Sequence, residues 1–285
     1  MDINHILLLV AVLNLSADLY NVMRYRAQLP RGIMTGTVVA LSACVAGWVI
    51  APEIAGYVGL GVLLIYIAAI KTYTRKRAPD ASPPSPATKF LIALNVAVYI
   101  VQISRAATND VIGLIDLGAA FTPLLEAGEL WRIMTAQFLH FGVLHLAFNM
   151  FGLWLLGRPV EAMIGAARFV ALYLLCGTGG MVLAWKLSLF GDSPHPIILL
   201  GASASVMGFV GTQAAIALLA YRHTGSIAAK AQLGSMIQIV FLQAIFDMMV
   251  PEVSSTAHIG GAAVGFCVTY VVFDLTLRRR RALQM

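Results

Sequence analysis

Charge is scarce in this sequence: Asp, Glu, Lys and Arg together make up 11% of its 285 residues, where a soluble domain carries about 25%. A soluble globular chain needs that charge for its surface, and disordered chains and long coiled coils carry more. All three are excluded. Cysteine is scarce as well, and Cys44, Cys176 and Cys267 each lie inside an apolar run. That excludes a disulfide-stapled secreted domain and leaves the thiols as small buried hydrophobes. Neither an HExxH pattern nor a Cys/His cluster is present, so no metal site is expected. What is abundant is apolar surface, with 60% hydrophobic residues and a mean hydropathy of +0.85. This is the composition of an integral membrane protein, with the lipid bilayer as its first partner. The net charge of +6 is then a matter of sidedness, and nucleic acid is not an expected partner.

A bilayer core about 30 Å thick needs about 20 mostly apolar residues per helix. Runs of that kind lie near residues 4 to 22, 34 to 50, 53 to 70, 90 to 104, 143 to 157, 168 to 188, 203 to 220, 233 to 250 and 256 to 275. The first run has no basic flank and no clear cleavage site, so it reads as a retained anchor. With the N-terminus outside and nine spans, most basic residues fall on one side, including Arg24, Arg31, Lys71, Arg75 to Arg77, Lys89, Arg158, Arg168, Arg222, Lys230 and Arg278 to Arg281. Only Arg105, Arg132 and Lys186 fall on the other. That asymmetry is the one expected of a cytoplasmic face.

Residues 75 to 89, RKRAPDASPPSPATK, are the only low-complexity stretch and read as a cytoplasmic linker. They separate a three-span region, 1 to 74, whose role is unknown, from a six-span region, 90 to 281. Asn14 and Asp18 share a helical face in the first region and read as an interhelical hydrogen-bonding pair or a polar path.

Ionisable and nucleophilic residues inside spans are functional candidates by default. His145 and Asn149, in HLAFN, are four apart and share a helical face. Ser203 lies among small residues in GASASVMG, and His258 precedes a glycine pair in AHIGGAAVG. Each of these follows an outer polar break by a few residues, so all sit at a similar depth on the outer side. A serine hydroxyl becomes nucleophilic when a base takes its proton, and a neutral histidine suits that task. Ser203 and His258 fit these roles as catalytic residues. A tetrahedral intermediate needs hydrogen-bond donors at its oxyanion, and His145, Asn149 and the Ser203 backbone N–H are candidates.

Taken singly, each residue has a plainer reading: Ser203 as a packing residue bonded to a carbonyl one turn back, Asn149 as an interhelical hydrogen bond, His258 as a metal ligand. Asp247 could orient His258 as a third acid. Its position near the outer end of a span favours solvation at the interface instead. Ser203 and Ser205 are about 200° apart around a helix, so only one of them can face His258. Several paired ionisable groups along a midplane path would have indicated a transporter, whereas these cluster toward one face.

In order along the chain, GELWRIMTAQFLH (128 to 140), HLAFN, LGRPVEAMIG with Gly157, Glu161 and Gly165, GASA, and AHIGGAAVG resemble the successive motifs of the rhomboid intramembrane serine proteases. The resemblance covers about 90 to 281. It implies an all-α polytopic membrane protein with a six-helix rhomboid-like core, preceded here by about three extra transmembrane helices. It also implies cleavage in or near the transmembrane segments of membrane-protein substrates by a Ser203–His258 dyad without a third acid, with His145 and Asn149 at the oxyanion and no cofactor. The substrate-binding residues are unknown. The expected location is multi-pass in a bacterial inner membrane, with the active site toward the outer side. Two positions depart from the family pattern: Ala204 replaces the glycine after the nucleophile, and Met207 stands where an aromatic often lies under the histidine ring. The alternative that Ala204 raises is a pseudoprotease that binds membrane clients without cutting them. Glu161 reads as a structural anchor, and Trp131 and Arg132 as residues holding the outer loop at the interface.

Overall fold

The computed structural model describes residues 84–189, 196–249 and 254–282, with isolated positions at 12, 39 and 42. The candidate spans at 4 to 22, 34 to 50 and 53 to 70, Asn14, Asp18 and most of the linker lie outside the described residues. The chain divides into two compact units, Met1–Ser82 and Pro83–Met285.

Helix α1 (Pro86–Ser104) begins with a proline in its first turn, where a missing N–H costs nothing because that position has no intrahelical acceptor. The free N–H groups of Ala87 and Thr88 donate to the Glu161 carboxylate at 2.9 and 2.8 Å, and the Thr88 hydroxyl donates at 2.7 Å. This explains a difference from the expected linker. Ser85, Ala87 and Thr88 are buried, so the end of the proline-rich stretch is tied into the helix bundle.

Residues 105 to 141 form a folded loop rather than a span. Within it lie α2 (Val111–Asp116), capped by the Asp110 carboxylate, α3 (Thr122–Glu126) and α4 (Arg132–Thr135). A two-residue strand β1 (Ala120–Phe121) pairs antiparallel with β2 (Ile198–Leu199), Ala120 opposite Leu199 and Phe121 opposite Ile198. Arg132 holds this loop together. Its Nε donates to Glu129 at 2.7 Å, its Nη1 donates to the Ile115 carbonyl, and its guanidinium lies 4.6 Å from the Trp131 ring centroid. These contacts tie Arg132 and Trp131 into the loop itself.

Five further helices complete the unit: α5 (Gly142–Ile164), α6 (Ala166–Ser188), α7 (Ser203–Thr224), α8 (Ile227–Met249) and α9 (Ser255–Ala282). With α1 they give six helices long and apolar enough to cross a membrane among the described residues. Inside α5, residues Leu153–Gly157 form a π turn just before Arg158 and Pro159. Pro159 has no N–H to offer the preceding turn and its ring crowds that turn's carbonyl, so the helix widens there. Gly165, at φ +83°, turns the chain into α6 with a backbone conformation that L side chains avoid.

Helix α7 is the centre of the bundle: 72% of its membrane-length window is buried, against 6% for α8. Its small residues make that possible. A methyl added to Gly211 would run into the Ala262 carbonyl, and one added to Gly261 or Gly265 would run into the carbonyls of Ala204 or Gly208. Helices α7 and α9 therefore pack backbone to backbone, the arrangement that small residues provide where lipid supplies no hydrophobic driving force. On the other flank, Phe169 of α6 stacks on Phe209 of α7 at 4.7 Å between centroids.

Candidate active site

Ser203 is the first residue of α7. Gly201 sets its approach, with φ +109° and an N–H donating to the Ala136 carbonyl at 2.9 Å. The first N–H in α7 to find a helical acceptor is that of Val206, on the Ala202 carbonyl at 3.0 Å. The N–H groups of Ser203, Ala204 and Ser205 thus belong to the open first turn, where unsatisfied donors and the helix dipole favour negative charge. Ser203 lines a pocket together with His258, His145, Gly201, Leu199, Leu200, Met181 and Ser254. Ser205 points elsewhere: it is fully buried and its hydroxyl donates to the Tyr173 carbonyl at 2.7 Å.

His258 lies in the first turn of α9. Ser254 caps that helix, its hydroxyl accepting from the Ala257 N–H at 3.2 Å, as serine does at helix starts. The ring's Nδ1 lies 2.8 Å from Asp247 Oδ2 and 2.9 Å from Oδ1. This corrects the expectation for Asp247, which is not a solvated residue at the membrane surface but is buried with a side-chain exposure of 1%. The antiparallel approach of the end of α8 to the start of α9 brings the two together across eleven residues of sequence. Gln243, one turn earlier on α8, donates from Nε2 to Asp247 Oδ1 at 2.7 Å; no pattern in the sequence singles it out. Ser203 and His258 share the pocket without a hydrogen bond between them in this structure.

His145 enters the pocket from the first turns of α5. Its Nδ1 accepts the Phe141 N–H at 3.2 Å, so in the neutral ring Nε2 carries the proton and is a donor. That edge of the ring faces the Gly201 backbone, where an added Cβ would lie 3.0 Å from Nε2 and 2.8 Å from Cε1. Gly201 is therefore required twice, by its backbone angle and by this close approach. Asn149 is buried one turn further along α5, where its Nδ2 donates to the His145 carbonyl at 2.8 Å. It is not among the residues lining the pocket. Of the four residues singled out in sequence, the structure brings Ser203, His258 and His145 to one cavity and sets Asn149 behind His145.

The two departures from the family pattern have definite surroundings. Ala204 is buried, and its methyl lies against Gly180 of α6. Met207 is buried in the main core with Cys176, Phe209 and Val210. Glu161 is buried at the opposite end of α5 from His145, where it serves the start of α1. Among the described residues no group of three or more His, Cys, Asp or Glu is arranged to hold a metal ion.

Comparison with known proteins bears on the family. The Rhomboid domain family model matches residues 127–275, a stretch that holds Ser203, His258, His145, Asn149 and Asp247. The rhomboid protease GluP of Bacillus subtilis (strain 168) is 33% identical over 184 residues, which cover 63% of this chain and 33% of GluP. The rhomboid protease AarA of Providencia stuartii is 29% identical over 210 residues, covering 67% of this chain and 74% of AarA. RHOMBOID-like protein 6, mitochondrial, of Arabidopsis thaliana is 31% identical over 169 residues, 59% of this chain and 50% of its own length. The chain thus spans a third of GluP and half of the Arabidopsis protein. With the family model covering more than half of its length, this membrane-spanning helical chain belongs to the rhomboid family.

Proposed function

We propose that this chain is an intramembrane serine endopeptidase that hydrolyses peptide bonds in or near the transmembrane segments of other membrane proteins. The observation that carries the reading is the convergence of Ser203, His258 and His145 on one pocket at the open N-terminus of α7. The names of GluP and AarA as proteases support it. His258 takes the proton of the Ser203 hydroxyl as the oxygen attacks the scissile carbonyl, then returns it to the leaving amine. The Ser203 backbone N–H and His145 Nε2–H donate to the oxyanion, with the second amide hydrogen of Asn149 as a further donor. A water then cleaves the acyl-enzyme. Neither metal nor cofactor enters this chemistry.

The activity resides in the six-span region, 90 to 281. Residues 75 up to the start of α1 form a cytoplasmic linker, and residues 1 to 74 an appended membrane region. The protein sits in a bacterial inner membrane with the pocket toward the outer side, where Arg105, Arg132 and Lys186 are outnumbered by the basic residues of the opposite face.

The deciding experiment is labelling of the detergent-solubilised protein with a fluorophosphonate, which reacts with a serine activated by a base, followed by mapping of the modified residue. Label is expected on Ser203, lost in Ser203→Ala and His258→Ala and kept in Ser205→Ala. Labelling that survives Ser203→Ala overturns the site. A folded wild type that neither labels nor cleaves a model transmembrane substrate replaces the protease with a client-binding pseudoprotease, a reading to which the open Ser203–His258 pair would then belong.

A further inference from the structure

We infer that Asp247 is a positioning residue for catalysis: its buried carboxylate holds His258 in the tautomer and orientation that aim Nε2 at Ser203, so that a third acid supports the dyad. The inference rests on the proposed Ser203–His258 chemistry and adds to it a residue from α8.

The geometry is specific. Both carboxylate oxygens lie within 2.9 Å of His258 Nδ1. An ionised carboxylate only accepts hydrogen bonds, so Nδ1 must carry the proton and donate it. The lone pair of a neutral imidazole is then confined to Nε2, the nitrogen a base needs on the pocket side. Gln243 fixes the carboxylate in turn through its 2.7 Å bond to Oδ1. The same amide nitrogen lies 3.4 Å from His258 Nδ1. Both groups are donors in this tautomer, so that approach is a neighbourhood and not a bond, and Asp247 is the acceptor for each.

Burial supplies the second argument. A carboxylate inside an apolar helix of a membrane protein is costly to keep and is retained where it has a task. A ring that is to take the serine proton must start neutral. When His258 takes the serine proton the ring becomes an imidazolium, and the pair becomes an ion pair out of water. The stabilisation therefore grows on going to the transition state, which is the kind that raises kcat rather than binding. The competing explanation is a structural tie. Helix α8 is the least enclosed of the six, and the Asp247–His258 bond also joins it to α9. The two roles differ in what they move: a tie sets the position of α8, and so the stability and substrate affinity, whereas positioning sets the turnover of Ser203.

The test uses the full chain in detergent, with the rate of fluorophosphonate labelling, kcat and KM on a model transmembrane substrate, and Tm read for each variant. Asp247→Asn keeps the shape and removes the charge, and its amide can present either donor or acceptor to Nδ1. It is expected to slow kcat and labelling about 10- to 1,000-fold, with KM within about threefold and Tm within a few degrees. In a His258→Ala background the same substitution is expected to change nothing further, because residues acting as one unit are not additive. Asp247→Glu, which retains a carboxylate, is expected to regain part of the lost rate and serves in place of the Asn variant should that one fail to fold. Wild-type kcat in Asp247→Asn, or a further loss on adding it to His258→Ala, overturns the inference and leaves the structural tie. A wild type that does not label at Ser203 overturns the protease reading and this inference with it, whereas normal wild-type labelling with an unaffected Asp247→Asn overturns this inference alone.

Discussion

The methyl group of Ala204 sits against Gly180: a Cβ added to Gly180 would lie 2.9 Å from Ala204 Cβ and would also run into the Ala257 carbonyl. The side chain that departs from the family pattern is thus accommodated by a missing side chain on α6. The added methyl is absorbed at the α6–α7 interface beside the nucleophile. Ala204→Gly is therefore expected to leave kcat/KM within about threefold, while costing up to about 1 kcal/mol of helix stability. Gly180→Ala is expected to overpack the same contact and destabilise by about 1 to 3 kcal/mol, with labelling of Ser203 lost in parallel. Thermal melts and labelling rates on the two variants check this. A tenfold rise in Ala204→Gly would show instead that the methyl obstructs the oxyanion.

His145 and Asn149 are expected to differ in weight. His145 Nε2 faces the pocket, while Asn149 already spends one amide hydrogen on the His145 carbonyl. Removing one preorganised oxyanion donor costs about 10²- to 10³-fold in kcat. His145→Ala should show a loss of that size with KM little changed, and Asn149→Ala a smaller one. Turnover on a model transmembrane substrate measures both. Equal losses would mean that Asn149 donates as strongly as His145; an unchanged kcat in Asn149→Ala would leave it only the structural bond to the carbonyl one turn back.

Much of this site is readable in the sequence because helices have one period and a membrane has one thickness. Each of the six described spans overlaps an expected apolar run, though α5 and α9 extend seven residues further and α8 starts six residues earlier, and the angle between Ser203 and Ser205 separates the residue in the pocket from the one bonded to the Tyr173 carbonyl. The burial of Asp247 is not legible in the sequence for a physical reason. A carboxylate near the end of a span looks like an interfacial residue until the partner helix is known, and nothing in eleven residues of sequence fixes how α8 meets α9. The β1–β2 pair was invisible because two residues carry no period. The start of α1 reads as linker in the sequence because the acceptor for its free N–H groups, Glu161, lies more than 70 positions away.

Glu161 makes its three bonds as an acceptor. In Glu161→Gln one of the two oxygens becomes an NH2 group that cannot accept from Ala87 or Thr88. The loss is expected to be about 1 to 3 kcal/mol with the labelling rate per folded molecule unchanged, since Ser203 lies at the other end of the bundle. Chemical denaturation and active-site titration separate the two. A folded Glu161→Gln protein with a slowed Ser203 would assign Glu161 a part in the chemistry.

His140, in the loop before α5, is fully buried, and burial, then the neighbouring His145, pull its pKa from 6.5 down to about 3. The folded state keeps this ring neutral while the unfolded chain protonates it below about 6.5. Folding stability from this residue is thus intact above pH 6.5 and is lost as the pH falls from there toward 3. His140→Gln is expected to flatten the decline of Tm between pH 7 and 5 relative to wild type. Parallel declines in the two proteins would remove His140 as a source of acid sensitivity.

The proposed sidedness makes a prediction that depends on where the basic residues meet the helix ends. Glu161 near the end of α5 bonds the start of α1, and Gln102 near the end of α1 bonds His140 just before α5, so these two helices are antiparallel. The Gly180–Ala204 contact together with that between Gly208 and Cys176 makes α6 and α7 antiparallel as well. Lys89, Arg158, Arg168, Arg222 and Lys230 thereby belong to helix ends on one face, and the pocket of Ser203 and His258 to the other. By the positive-inside rule the first face is the one expected in the cytoplasm. A tag inserted after Pro79, ahead of the buried Ser85, and one at the C-terminus are both expected to be shielded from protease added to intact cells. An N-terminal tag is expected to be cut, because three spans separate it from the linker in the nine-span reading. Protection of the N-terminal tag alone would remove one of the three N-terminal spans; digestion of the Pro79 tag would invert the whole core and place the pocket on the cytoplasmic side.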